Sequence, residues 1–105
     1  MTIREIDVAR ATERLAQGDA LFLDVRDPGS FEAGHVPGAR QIDDRTVEAF
    51  LRDTDKTGTV IVYCYHGHMS QGGAAYLMEH GFEDVYSLAG GYEAWSHAHP
   101  DGAPA

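Results

Sequence analysis

The sequence contains a single cysteine, Cys64, and no lysine or arginine after Lys56. A lone thiol closes no disulfide within its own chain, so nothing points to an oxidising compartment, and any sulfur chemistry runs without a resolving cysteine. Also missing is any stretch near the roughly 20 consecutive apolar residues that span a bilayer, and the N-terminus has neither the basic nor the apolar region of a secretory signal. These absences predict a cytoplasmic protein with no membrane partner. The shortage of cations, at a formal net charge of −9, removes the basic surface on which nucleic-acid binding depends. The plain reading of the charge is a solvated acidic surface that aids solubility.

What is present suits one core. The chain has 105 residues, 43% of them hydrophobic and 10% aromatic, which is enough to fold and too few for two independent cores. Three short runs have the composition of buried strands: Ala20 to Val25, Thr59 to Tyr63 and Asp84 to Leu88. Between them, apolar residues recur at helical spacing: Val8, Ala11 and Leu15 before Gly18, Val47, Phe50 and Leu51 before Gly58, and Ala74, Ala75, Leu77 and Met78 before Gly81. Tyr92 and Trp95 are expected to pack a last helix against the sheet. Alternating strands and helices predict an α/β fold with a mainly parallel central sheet and helices on both faces. No internal repeat is visible. The segment from His97 to Ala105 has no apolar periodicity, so the domain is expected over residues 1–96 with a flexible C-terminal tail over 97–105.

In open parallel sheets the reactive face lies beyond the carboxyl ends of the strands. Cys64 directly follows one strand, and Asp24 and Arg26 stand at the end of another. The segment Cys64-Tyr65-His66-Gly67-His68-Met69-Ser70 then joins its strand to a helix, with Ser70 at the cap or first turn. Gly67 allows a tight turn there, and such a loop can aim successive N–H groups inward as an anion nest beside a helix N-terminus. A thiol at its rim ionises more easily, and the thiolate is the nucleophile. Free cysteines are also common as small buried hydrophobes. Position alone leaves both readings of Cys64 open.

Three separated segments carry a resemblance that decides between them. They are Leu23-Asp24-Val25-Arg26 with Gly34-His35-Val36-Pro37-Gly38-Ala39, the cysteine loop, and Val85 to Trp95 with its Gly90-Gly91 pair. In this order the segments resemble the rhodanese family over roughly residues 4–96, and look most like its short single-domain thiosulfate sulfurtransferases. The resemblance implies that Cys64 accepts sulfur from thiosulfate as a persulfide. It implies that Tyr65, His66, Gly67, His68 and Met69 hold the anion, and that the acceptor is cyanide, a dithiol or a thioredoxin-like protein. It implies no cofactor. The loop from Cys64 to Met69 has the length of the family's sulfurtransferases. Its phosphatase and arsenate-reductase relatives have one residue more and close the loop with an arginine, which neither Met69 nor Ser70 supplies. Many members carry Arg or Thr where Met69 stands, and a basic residue where Tyr65 stands, so weak thiosulfate binding is expected. The rival reading is a sulfur-relay or partner-binding module served by a protein persulfide donor.

The remaining candidates divide by chemistry. Asp24 and Arg26 are expected either to shape the loop from the neighbouring strand end or to form a surface ion pair worth little. His35 is expected to be a hydrogen-bonded structural residue. His66 and His68 have the spacing of a ligand pair but fall short of the usual three or four ligands, so no metal site is expected.

Overall fold

The computed structural model describes residues 2–101. Its five strands are β1 (Arg4–Ile6), β2 (Ala20–Asp24), β3 (Arg40–Gln41), β4 (Thr59–Tyr63) and β5 (Asp84–Leu88). They form one sheet in the order β1-β5-β4-β2-β3, with every pairing parallel. The helices are α1 (Val8–Gln17), α2 (Pro28–Ala33), α3 (Val47–Asp53), α4 (Met69–Glu79) and α5 (Gly91–Ala98).

Side-chain alternation along each strand builds two cores, one per face. Phe22, Ile61, Tyr63 and Leu88 point to the face covered by α1, α2 and α5, where Ala11 and Trp95 are fully buried. Leu23, Val60, Val62 and Val85 point to the face of α3 and α4, packed on Phe50, Ala74 and Leu77. A parallel sheet buried on both sides explains why β4 reads as an unbroken run, Thr-Val-Ile-Val-Tyr.

Local chemistry sets the helix starts. Asp7 caps α1 by accepting from the Arg10 N–H at 2.8 Å. Asp27 does the same for α2 from Ser30, with Pro28 suited to the first turn. α1 stops at Gly18, which adopts φ +69.

The structure contains three elements that the sequence patterns did not reveal. β1 and β3 are three and two residues long, too short for alternation to register. α2 has six residues and no buried side chain, and so has no apolar stripe. The chain boundary also moves. α5 continues through Ala98, and the His99 ring lies 4.5 Å from that of Trp95 with Nε2 2.9 Å from Thr12 Oγ1. The boundary expected at residue 96 therefore falls inside a packed helix, because a histidine can dock on an aromatic face without contributing to apolar periodicity. Residues 102–105 of the expected tail lie outside the described residues. Among the described residues no helix is long and apolar enough to cross a membrane.

Candidate active site

β4, a central strand, ends at Tyr63, and Cys64 is the first residue beyond it. The loop returns within five residues to start α4 at Met69, and Gly67 makes this turn at φ +98. A side chain there would be strained and would stand 3.0 Å from the Gly90 nitrogen and 3.2 Å from the Leu88 carbonyl. The loop thus folds down against the β5–α5 junction.

Its peptide groups are sorted by direction. Gly67 N–H donates to Cys64 Sγ at 3.1 Å and Ser70 N–H at 3.2 Å. The carbonyls face the other way, where the first turn of α5 meets them. Tyr92 N–H donates to Cys64 O at 2.8 Å, and Glu93 N–H to Tyr65 O at 2.9 Å. Helix N-termini have N–H groups without intrahelical partners, and α5 satisfies its own by holding these carbonyls. With the carbonyls pinned outward, the N–H groups converge on the sulfur, joined by the positive end of α4.

The electrostatic outcome is a thiol primed to ionise. Burial pushes the Cys64 thiol up, but the Ser70 hydroxyl and the N–H groups of Ser70, Gly67 and Met69 more than offset this and hold it below its ordinary value. Cys64 Sγ and Ser70 Oγ are 3.4 Å apart. Cys64 is 3% exposed, so the sulfur is reached only through the mouth of the loop. Tyr65 and Met69 at that mouth are exposed, Met69 at 71%.

The other predicted residues fall around this cradle. His66 turns outward, its Nδ1 3.4 Å from Glu93 Oε1. His68 is exposed at the start of α4. Among the described residues no group of three or more His, Cys, Asp or Glu is placed to hold a metal ion. Asp24 and Arg26 are not a surface pair: their side chains are 0% and 9% exposed and meet at 2.6 Å. Arg26 also donates to Gly34 O at 2.7 Å and lies 4.2 Å above the Tyr92 ring, the residue whose N–H holds Cys64. It also lies 5.6 Å from the centre of the Tyr63 ring, so it meets the residues on both sides of the loop's base. His35 is structural, with Nδ1 2.7 Å from Phe31 O and its ring stacked on Phe31 at 3.8 Å.

Two participants were missed by the sequence reading. Ser87, fully buried on β5, lies 2.7 Å from Ser70 Oγ. Its signal was a polar residue at an inward position of a buried strand. Glu93 contributes through its backbone N–H to Tyr65 O, which no side-chain pattern signals. A cavity of about 420 Å³ opens between α3 and α4, lined by Leu23, Val25, Ile42, Val47 and Tyr76. It contains no residue of the cysteine loop.

A parallel α/β domain with its lone thiol at a central strand end, ringed by N–H groups, has an established counterpart. The chain belongs to the rhodanese family: the rhodanese-like domain matches residues 7–98. Over 101 residues it is 41% identical to the thiosulfate sulfurtransferase GlpE of Pseudoalteromonas translucida (strain TAC 125), covering 96% of each chain. Among solved structures, the rhodanese-like domain of an Anabaena protein superimposes with a TM-score of 0.83 at 27% identity, covering 93% of this chain and 76% of that one. A rhodanese-related protein of Thermoplasma volcanium shares the fold with a TM-score of 0.79 at 23% identity, covering 96% and 95%.

Proposed function

We propose that the protein is a thiosulfate sulfurtransferase that carries sulfur on Cys64 as a persulfide and works in the reducing cytoplasm. The observation that carries this reading is the Cys64 sulfur itself, accepting N–H donors at 3.1 and 3.2 Å at the start of α4. The 41% identity to a relative named for this activity supports the substrate class.

The reaction is a double displacement. The Cys64 thiolate attacks the outer sulfur of thiosulfate, the sulfur–sulfur bond breaks, and its electron pair leaves with sulfite. The terminal sulfur now carries the negative charge, which the N–H groups of residues 65 to 69 are suited to hold. Cyanide, a dithiol or a thioredoxin-like protein then attacks that sulfur and regenerates the thiolate. Sulfite is a good leaving group, so no acid catalyst is required, and neither is a cofactor. Asp24, Arg26 and Ser70 act as supports of this loop. The test is steady-state turnover with thiosulfate and cyanide: parallel-line kinetics with thiocyanate release are expected, and the absence of both would overturn the reading.

A second reading, a sulfur relay loaded by a protein donor, is favoured by the mouth of the loop. Exposed Tyr65 and Met69 flank it and no cation stands among residues 64 to 70. Thiosulfate would bind through backbone N–H groups and the helix terminus, the latter worth about 0.3–1 kcal/mol. Met69→Arg tests whether the missing cation limits thiosulfate binding. A screened cation near the dianion contributes roughly 1 kcal/mol, or about a five-fold lower thiosulfate KM, with the benefit shrinking as salt rises. An unchanged KM in an otherwise reactive variant would show that the missing cation does not limit binding.

The same loop predicts the absence of another activity. Aryl phosphate hydrolysis and arsenate reduction are expected to stay at background, because the loop is short and lacks a closing arginine to grip the dianion. Enzymatic hydrolysis of an aryl phosphate by the native protein would refute the assigned loop class.

A further inference from the structure

Behind the sulfur lies a polar chain that the transfer steps above leave unused. Ser87 Oγ is 2.7 Å from Ser70 Oγ, with either atom able to donate, and Ser70 Oγ is 3.4 Å from Cys64 Sγ. Ser87 and Ser70 are both fully buried. β5 alternates, so Ser87 shares the α4 face with Val85, and its neighbour in register on β4 is the core residue Val62. An apolar side chain would pack there without needing a hydrogen-bond partner; the serine needs one, and finds it in Ser70.

We infer that Ser87 is a positioning residue for sulfur transfer, holding the Ser70 hydroxyl on the line to Cys64 and allowing that hydroxyl to reverse as the sulfur changes charge. With Cys64 protonated, S–H donates to Ser70 Oγ and Ser70 O–H donates to Ser87 Oγ. When the thiol proton leaves to solvent, Ser70 O–H turns to donate to the thiolate, and Ser87 O–H turns to donate to Ser70 Oγ. Two hydroxyl hydrogens rotate, no heavy atom moves, and each oxygen keeps a partner in both states. A hydroxyl that is itself accepting a hydrogen bond is the stronger donor, so Ser87 acts on the sulfur only through Ser70. Being anchored on a central strand, it supplies a fixed reference that the loop lacks.

This inference rests on the proposal that the Cys64 thiolate is the reacting form, but its test needs no thiosulfate. The ultraviolet absorbance of the thiolate and the rate of alkylation by iodoacetamide are followed against pH in the native protein, Ser70→Ala, Ser87→Ala and the double variant. Ser87→Ala is expected to move the titration to higher pH, with about three-fold less thiolate on its rising limb. Ser70→Ala is expected to move it further, by about ten-fold. The double variant should match Ser70→Ala, because Ser87 has no route of its own to the sulfur. The titratable groups on the surrounding elements are Tyr65, His66 and His68 on the loop, Tyr92 and Glu93 on α5, Tyr63 on β4 and the Asp24–Arg26 pair at the end of β2. All are present in every variant and cancel from the comparison. A titration unmoved by Ser87→Ala, or one shifted equally with and without Ser70, overturns the inference. Should Ser87→Ala not fold, Ser87→Thr and Ser87→Val repeat the comparison, being alike in shape and differing in the hydroxyl; equal titrations for these two also overturn it. A native protein that titrates as expected yet takes no sulfur from thiosulfate would instead refute the proposed function and leave the role of Ser87 standing.

Discussion

Cys64→Ser is expected to abolish sulfur transfer, by on the order of a thousand-fold or more, while leaving the fold intact. The serine oxygen would occupy the position of a sulfur that is 3% exposed, so the change removes little volume and opens little space. The new hydroxyl would not be left unsatisfied, since the N–H groups of Gly67 and Ser70 and the Ser70 hydroxyl already face that position. What it loses is nucleophilicity: a thiol held below its ordinary pKa gives up its proton more readily, whereas an alkanol stays protonated and is a far weaker nucleophile. Incubation with thiosulfate should add the mass of one sulfur atom to the native chain and none to the variant. Cyanide should strip that sulfur and release thiocyanate only from the native chain. Turnover by Cys64→Ser at the native rate would eliminate the proposed mechanism, because the chain has no other thiol to take over.

β2, β4 and β5 and the position of Cys64 after a strand were legible because each rests on local chemistry. A doubly buried strand must be apolar throughout, as Val60 to Val62 are, and a strand-end loop containing Gly67 announces itself by composition. The features that escaped are those whose cause lies elsewhere in the chain. β3 has two residues and exists because Leu23 and Asp24 offer it an edge. Whether Arg26 is part of a loop-shaping pair or of a surface pair stayed open, because a sequence does not display the Tyr92 ring beneath it or the Gly34 carbonyl beside it. Ser87 was one residue of a strand run, and only the packing of α4 on β5 brings it to Ser70.

The same distinction applies to the charge asymmetry. No lysine or arginine follows Lys56, yet the site is not held together without one: Arg26, from earlier in the chain, is enclosed between Asp24 and the aromatic rings of Tyr63 and Tyr92. Its charge is matched by the buried carboxylate, and in the proposed mechanism it is a strut rather than an anion receptor. The site depends on backbone N–H groups for its positive potential, and therefore on whatever keeps those groups pointed at the sulfur.

That dependence makes Gly91→Ala the most damaging small substitution outside Cys64. Gly91 opens α5 at φ +60, a conformation that costs alanine about 1–2 kcal/mol. Its added Cβ would lie 2.5 Å from both the Cys64 and the Tyr65 carbonyl oxygens. Both are backbone atoms, so no side chain can swing aside and the helix must back away from the loop. Retreat stretches the bonds from Tyr92 N–H to Cys64 O and from Glu93 N–H to Tyr65 O, each worth about 0.5–1.5 kcal/mol net. The expected loss of stability is on the order of 3–5 kcal/mol, which for a domain of this size lowers Tm by more than about 12 °C. Gly72→Ala provides the control: it lies within α4 with nothing inside 4 Å of its added Cβ, and replacing a helical glycine should raise stability by about 0.5–1 kcal/mol. The second readout separates loop from fold. Below its lowered Tm, folded Gly91→Ala should still show a slowed alkylation of Cys64 at neutral pH, because carbonyls released from α5 no longer hold the opposing N–H groups on the sulfur. A Gly91→Ala protein that melts and alkylates like the native chain would mean that α5 does not brace the loop, and the source of the site's positive potential would have to be sought in α4 alone.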